Sequence, residues 1–165
     1  YKGLRPVYWC IHDQTALAEA EVEYKEHTSP SVYVKFPLVT DPAEIDTALA
    51  GKKVFLVIWT TTPWTLPANM GIAVHPDLDY AAVEAGGEVY IVAADLTGPF
   101  AETCEIQGWK ELARFKGSKL DRMEARHAWL DRPSLIMNGE HVTLGEADAE
   151  VAPRDRERRP LVAVK

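Results

Sequence analysis

Four threonine hydroxyls and one carboxamide lie within eleven residues that also contain two prolines. Residues 59–69 read WTTTPWTLPAN, and we call them the threonine segment. Threonine hydroxyls both donate and accept hydrogen bonds, so they can orient a nucleophilic water and stabilise a developing oxyanion without a charged group. Proline fixes its own φ and disfavours the helical region for the residue before it, so the segment is predicted to be stiff and extended. Composition alone favours a plainer interpretation, a threonine-rich strand edge that ends in a proline-bounded turn.

The element that must position these hydroxyls is a strand directly before them. Residues 54–59 form a continuous apolar run, which predicts a strand buried on both faces. Six further stretches have strand character, and they are residues 31–36, 71–75, 80–85, 88–93, 134–137 and 141–144. Gly86 and Gly87 separate two of these stretches, which predicts a β-hairpin with a tight turn. Residues 16–23 fit a helix and a strand equally well.

Two helices are predicted beside these strands. Asp41 can cap a helix and Pro42 suits its first position, so a helix is predicted at residues 41–50. Gly51 is the expected C-terminal stop of that helix. A second, short helix is predicted at residues 99–108.

The composition is that of one soluble globular domain. The 165 residues are 47% hydrophobic and 26% charged. No stretch approaches the roughly 20 apolar residues of a membrane helix. The net charge of −7 argues against stand-alone nucleic-acid binding, but it still permits RNA contact through a local patch. With two cysteines, no CxxC pair and no signal-peptide pattern, the expected location is cytoplasmic.

No metal or cofactor site is predicted. Cys10 and His12 could share a metal ion, but two ligands do not complete a zinc site. The other histidines show no metal spacing and are expected to be satisfied or solvated side chains; they are His27, His75, His127 and His141. The i, i+4 spacing of His127 and Asp131 suggests a catalytic triad, but no G-x-S-x-G nucleophile motif accompanies the pair.

The threonine segment resembles the threonine-rich signature of the editing domains of isoleucyl-, valyl- and leucyl-tRNA synthetases, and it is most similar to the isoleucyl type. KGLRPVYWC, ALAEAEVEY and TSPSVYVKFPL, within residues 1–38, resemble the segment that leads into the editing insertion of those synthetases. GIAVHPDLDYA resembles the strand and turn after the threonine signature. NGEHVTL resembles the strand before the second catalytic motif. The resemblance covers about residues 1–144, most of the chain.

This resemblance implies an α/β, β-rich fold, a β-barrel-like editing domain with flanking helices. It also implies an aminoacyl-tRNA deacylase, part of an isoleucine–tRNA ligase, that hydrolyses mischarged Val-tRNA(Ile), with Val-AMP as a further candidate substrate. The implied partners are the valyl-adenosine 3′ end of that tRNA and the catalytic body of the parent synthetase, with no membrane. The chain has no HIGH-like or KMSKS-like motif, so ATP-dependent activation is expected only in the parent enzyme.

The resemblance also implies roles for single residues. Three hydroxyls would line the hydrolytic site, and they belong to Thr60, Thr61 and Thr62. The catalytic hydroxyl is expected on Thr61. The implied substrate-binding residues are Trp59, Trp64 and Asn69. Asn69 is interpreted as a substrate contact or a brace for the loop, and Trp64 as a packing residue or a wall of the amino-acid sieve.

Three regions are expected: a connecting segment at residues 1–28, the editing domain at residues 29–145 and a divergent, disordered tail at residues 146–165. The tail departs from the family pattern, in which GTG-x-VH-x-AP is followed by an acidic residue that holds the substrate ammonium. Residues 145–155 instead read GEADAEVAPRD, and neither Asp148 nor Asp155 lies in a matching motif. A shifted reading frame or a truncated gene is our hypothesis for this tail.

The missing motif leaves more than one functional interpretation. The first is an active deacylase. The second is a catalytically inactive or truncated editing domain that only binds an aminoacyl-adenosine end. The third is an unrelated β-barrel ligand binder, which a fold without threonines beside a substrate cavity would favour.

Overall fold

A computed structural model of the chain describes residues 7–23, 32–60 and 62–142. Within these ranges the strands are β1 (Tyr8–Cys10), β2 (Thr15–Leu17), β3 (Val32–Pro37), β4 (Val54–Thr60), β5 (Gly71–Val74), β6 (Asp79–Ala85), β7 (Glu88–Ala93), β8 (Lys110–Lys116), β9 (Glu124–Arg126) and β10 (Pro133–Asn138). The α-helix is α1 (Thr97–Thr103). The 3₁₀ helices are Glu19–Glu21, Pro42–Glu44, Thr47–Leu49, Pro63–Ala68, Ala94–Leu96 and Gly117–Leu120. None of these helices is long and apolar enough to span a bilayer.

Strand β4, which carries the threonine segment at its end, lies inside a five-stranded sheet with the order β3-β4-β7-β6-β8. It pairs antiparallel with β3 and parallel with β7. All of its residues before Thr60 are buried, which confirms the prediction of a strand covered on both faces.

The two faces of β4 contribute to different clusters of apolar side chains. Ile58 belongs to the main core, which also contains Ile72 from β5 and Ile136 from β10. Val57 belongs to a second cluster, where it lies with Phe100 of α1. Because both faces are covered, the strand end that carries the first threonine is attached to close-packed core on both sides.

A smaller sheet with the order β5-β10-β9 packs against the large one. The two sheets approach each other after β3, where Leu38 forms an isolated bridge with Ala125 and the amide of Val39 donates to the carbonyl of Glu124 at 2.8 Å. The described strands nevertheless form open sheets, so the barrel-like part of the expected fold is not confirmed. The β-rich part is confirmed.

Most of the predicted strands are present. Residues 31–36, 71–75 and 134–137 correspond to β3, β5 and β10. The predicted hairpin is formed by β6 and β7, and its two glycines adopt φ values of 59° and 81°, which a tight turn of this kind requires. The strand predicted at residues 141–144 falls partly outside the described residues, and its first two residues are not in a strand.

The continuous helix predicted at residues 41–50 is wrong. Two separate 3₁₀ helices occupy this stretch, and an aspartate caps each of them. Asp41 accepts from the amide of Ala43 at 3.0 Å, and Asp46 accepts from the amide of Ala48 at 2.9 Å. Asp46 has extended backbone angles, which interrupt the helix because aspartate competes for nearby backbone amides. Gly51 adopts φ 69°, as expected of a helix stop.

Three other stretches differ from the predictions. The second predicted helix is present but spans Thr97–Thr103. The ambiguous stretch at residues 16–23 begins as the end of β2, which pairs with β1, and continues as a 3₁₀ helix. Strand β8 was missed, because KELARFK places charged residues on an edge strand and lacks the apolar alternation of the other strands.

A charged cluster stabilises the large sheet at the start of its central strand, β7. Glu88 accepts hydrogen bonds from the ammonium groups of Lys35 at 2.5 Å and Lys53 at 2.7 Å. The hydroxyl of Tyr90 donates to the same carboxylate at 2.9 Å. These three donors lower the pKa of Glu88 from 4.5 to about 2, and the bond from Lys35 has the largest effect.

Glu88 should therefore make the free energy of unfolding depend on pH. A lowered pKa stabilises the fold above pH 4.5, and that contribution is lost as the pH falls from there toward 2. Both ammonium groups are half exposed or more, so Glu88→Gln should cost only about 1 kcal/mol at pH 7. Urea unfolding at several pH values measures this, with the exposed Glu102→Gln in α1 as the control. If the free energy of unfolding of Glu88→Gln depended on pH as that of the wild type does, the lowered pKa would not belong to Glu88.

Candidate functional site

The threonine segment begins at the end of β4 and continues along the molecular surface. Thr60 is the last residue of the strand and pairs with Val32 of β3. Its side chain is half-buried, and that of Thr62 is exposed. Thr61, the expected catalytic residue, lies outside the described residues.

The two described hydroxyls of the expected catalytic set lie next to each other. The Oγ1 atoms of Thr60 and Thr62 are 3.2 Å apart, and Thr60 Oγ1 also accepts from the amide of Thr62 at 3.0 Å. Each hydroxyl has one proton and two lone pairs. Their described bonds use only part of this capacity, so the pair can bind a water or a carbonyl oxygen from the solvent side.

Residues after Thr62 turn into a 3₁₀ helix, so the extended conformation predicted for the whole segment is wrong. Pro63 occupies the first helical position, where its fixed φ and missing amide proton favour a helix start. The carbonyl of Thr62 accepts from both the amide and the hydroxyl of Thr65, at 3.0 and 2.8 Å. Thr65 therefore directs its hydroxyl into the helix start.

The two tryptophans of the segment have opposite environments. Trp59 is only 6% exposed and belongs to the main core, where it supports the strand end. Trp64 is 70% exposed, so its indole is available to a partner molecule. A single large exposed aromatic next to polar groups is common at binding sites, although isolated exposed apolar side chains also occur elsewhere.

Asn69 ends the segment and is fully buried at 1% exposure. Its amide donates to the carbonyl of Gly71 at 2.7 Å, and its side-chain oxygen accepts from the hydroxyl of Ser134 at 2.6 Å. Both ends of the carboxamide are thus used within the protein. This geometry is that of a brace between the threonine segment and β10.

Sequence reasoning gave no role to His127, although it contacts the segment. His127 is 2% exposed, and its Nε2 lies 2.8 Å from the carbonyl of Leu66. Arg132 also donates to the carbonyl of Pro67. No local signal could have revealed these contacts, because more than sixty residues of chain separate the partners.

An open pocket of about 430 Å³ lies away from the threonine segment. It is formed around the C-terminal end of α1 and the turn before β8, and its lining includes Glu102, Glu105 and Trp109. Thr60 and Thr62 do not line it. Thr60 and Thr62 lie instead at the surface, where Thr60 is half-buried and Thr62 is exposed.

Sequence comparison defines the class of this protein. The family model of the class I tRNA synthetases (I, L, M and V) matches residues 1–148, and the chain belongs to this family. An isoleucine–tRNA ligase from Caldicellulosiruptor saccharolyticus is 48% identical over 93% of the chain. One from Geobacter sulfurreducens is 54% identical over 87% of it. The chain therefore resembles the isoleucine-specific members, and the unrelated ligand binder is excluded.

The fold comparison shows that the chain is similar in fold to editing domains of leucyl-tRNA synthetases. The editing domain of the cytosolic leucyl-tRNA synthetase of P. falciparum aligns with a TM-score of 0.61 at 9% identity, over 81% of this chain and 60% of that one. The structure named GlLeuRS-CP1 aligns with a TM-score of 0.59 at 18% identity, over 69% of this chain and 50% of that one. At these identities the likeness is one of fold. The chain covers 18% and 16% of the two isoleucine–tRNA ligases.

Proposed function

We propose that this chain forms an editing site that hydrolyses the ester of mischarged Val-tRNA(Ile). The observation that carries the proposal is the adjacent pair of hydroxyls, Thr60 and Thr62, at the solvent-facing end of a buried strand. The family and the fold support it, since the chain is similar in sequence to isoleucine–tRNA ligases and similar in fold to a leucyl-tRNA synthetase editing domain.

The proposed chemistry uses hydroxyls to position water and the ester. The hydroxyl pair orients a water molecule toward the ester carbonyl of the aminoacyl-adenosine end. Thr61, which the chain places between the two described threonines, supplies the hydroxyl that contacts the reacting carbonyl. As the tetrahedral intermediate forms, hydroxyl donors stabilise the developing oxyanion, an effect that is larger in a site fixed before the reaction. The water oxygen bonds to the carbonyl carbon, the bond between that carbon and the ribose oxygen then breaks, and a proton from the water passes to the ribose oxygen, which releases valine and free tRNA.

The remaining residues of the segment have supporting roles in this proposal. Trp64 contacts the adenosine or the amino acid with its exposed indole. Trp59 and Asn69 act from within the protein, because both side chains are buried. Residues 29–145 form the editing unit, and residues 1–28 connect it to the catalytic body of the parent synthetase. Val-AMP is a second candidate substrate of the same site.

A separate hydrolytic site has a physical reason. Valine lacks one methylene of isoleucine, and a pocket gains only about 1–3 kcal/mol from one methylene, a limit for which isoleucine–tRNA ligases are themselves the standard example. A second site that admits only the smaller amino acid removes the errors that the first site cannot reject.

Release of valine from Val-tRNA(Ile) by this chain tests the proposal. Thr61→Ala and Thr62→Ala should each lower the rate about tenfold to hundredfold, because each removes a positioned hydroxyl. Thr103→Ala, an exposed threonine at the end of α1, is the matched control and should leave the rate unchanged. Equal rates in all four proteins would refute the proposed site.

A binding-only function is the second candidate, and the sequence of residues 145–155 favours it because the family's second motif is missing there. In that case the wild-type chain releases no valine but binds a non-hydrolysable valyl-adenosine analogue. Trp64→Ala should then weaken binding, since base–aromatic stacking contributes about 1–3 kcal/mol. A chain that neither cleaves nor binds would contradict both candidates.

A further inference from the structure

We propose that His127 and Arg132 are positioning residues that hold the threonine segment in its working place. Both belong to residues 127–132, which connect β9 to β10 and which we call the histidine loop. The inference rests on the proposed function, because the segment that they hold is the proposed hydrolytic site.

The hydrogen bonds of His127 define its orientation. Its Nδ1 accepts from the amides of Trp129 and Leu130, at 3.3 and 3.1 Å. An imidazole nitrogen that accepts two amide protons carries no proton of its own, so the proton lies on Nε2. Nε2–H therefore donates to the carbonyl of Leu66 at 2.8 Å. The loop thus selects the tautomer that can hold the segment.

Ring contacts fix the plane of the imidazole. His127 packs edge to face against Trp129 at 4.8 Å and against Phe36 at 5.8 Å between ring centroids. Because His127 and Leu66 are both buried, a rotation that aimed Nε2 elsewhere would leave the carbonyl of Leu66 with one partner fewer.

Arg132 adds a second contact between the histidine loop and the helix, one residue after Leu66. It donates to the carbonyl of Pro67, which lies in the last turn of the 3₁₀ helix Pro63–Ala68. The carbonyls of a last helical turn lack partners within the helix, so side chains of neighbouring elements commonly satisfy them. The Nε of Arg132 is buried and has no partner among the described residues, so the carbonyl of Pro67 is the acceptor that the structure gives to this guanidinium.

The 3₁₀ helix Pro63–Ala68 connects the histidine loop to the hydroxyls of Thr60 and Thr62. Its C-terminal carbonyls are held by the histidine loop, and its start is bonded to Thr62 through Thr65. The hydroxyl of Thr62 is in turn bonded to that of Thr60 on the rigid strand β4. Loss of the loop contacts would therefore let the helix shift and move Thr62 relative to Thr60.

Two measurements on the same variants test this inference. His127→Phe keeps an aromatic ring but removes both nitrogens, and amide hydrogen exchange in residues 62–69 should become about tenfold faster. The kcat for valine release should fall about tenfold or more at nearly unchanged KM, because the hydroxyls are misplaced and the substrate contacts remain. His127→Gln, which can still donate to the carbonyl of Leu66, should recover most of both losses.

Controls separate local loosening from unfolding. The hairpin at residues 79–93 should exchange at the wild-type rate in every variant, and exposed His12→Phe should change neither readout. Arg132→Met is a milder second variant if His127→Phe does not fold, and it should accelerate exchange in the same residues about threefold.

The outcomes distinguish this inference from the proposed function. Unchanged exchange at residues 62–69, equal acceleration in the hairpin, or faster exchange with an unchanged kcat would each overturn the positioning role. If the wild-type chain releases no valine, the exchange pattern alone decides the positioning role, and the missing activity counts against the proposed function only.

Discussion

Gly117→Ala should lower the free energy of unfolding by about 3 kcal/mol or more, the largest stability loss that we expect from a single added methyl group. A Cβ at this position would lie 2.1 Å from the carbonyl oxygen of His75 and 2.7 Å from the ring of Tyr80. The first of these neighbours is backbone, so the methyl group cannot be accommodated by a change of side-chain rotamer.

The backbone around Gly117 is also unable to move away. The amide of Gly117 donates to the carbonyl of Leu78 at 3.0 Å, and the next amide donates to the carbonyl of Pro76 at 2.9 Å. The hydroxyl of Tyr80 accepts from the amide of His75 at 3.1 Å, and burial raises the pKa of that hydroxyl above its ordinary value. Any shift that admits the methyl group must therefore break one of these hydrogen bonds.

Urea unfolding measures the loss, and the chain offers a matched control. Gly98 lies in α1, and a Cβ there would meet nothing within 4 Å. Gly98→Ala should be neutral or stabilise the fold by about 0.5–1 kcal/mol, because alanine is the better helix former. Equal stability of Gly117→Ala and Gly98→Ala would contradict the close contact between Gly117 and the turn before β6.

The parts of the fold that the sequence predicted are those set by local patterns. The apolar run of β4 is buried on both faces, and the paired glycines form the turn of the β6–β7 hairpin. The continuous helix predicted at residues 41–50 was wrong because each capping aspartate can start a helix, and the sequence pattern does not show that Asp46 starts a second one. Strand β8 was not predicted because it forms by pairing with β6, and the sequence of β8 alone does not show that pairing.

The site was predictable only in part, for the same reason. The threonine segment was noticed as a group of hydroxyls after a strand, but its expected role came from the resemblance to the editing-domain signature, because composition alone favours a plain strand edge. The residues that support the segment could not be found, because the contacts of His127 and Ser134 join residues more than sixty positions apart. A buried histidine and an exposed one look alike in a single sequence, so His127 was expected only to be satisfied or solvated.

Asn69→Ala should lower the free energy of unfolding by about 2–4 kcal/mol, because it removes two buried hydrogen bonds and leaves the carbonyl of Gly71 without this donor. Ser134→Ala removes the hydroxyl that donates to the side-chain oxygen of Asn69. This change should cost about 1–3 kcal/mol, since that oxygen then remains buried without its donor.

The double variant decides between a brace and a substrate contact. If Asn69 acts as a brace through Ser134, the two losses share one hydrogen bond, and the double variant should be more stable than their sum by about 0.5 kcal/mol or more. Asn138→Ala at the exposed end of β10 is the control and should change stability by no more than about 0.5 kcal/mol. Additive losses would contradict a brace through Ser134, and a stable Asn69→Ala with only a raised KM would indicate a substrate contact instead. A shared loss would mean that the end of the threonine segment is held to β10 through the hydrogen bond between Asn69 and Ser134, so that a substitution in the small sheet can loosen the segment from within the protein.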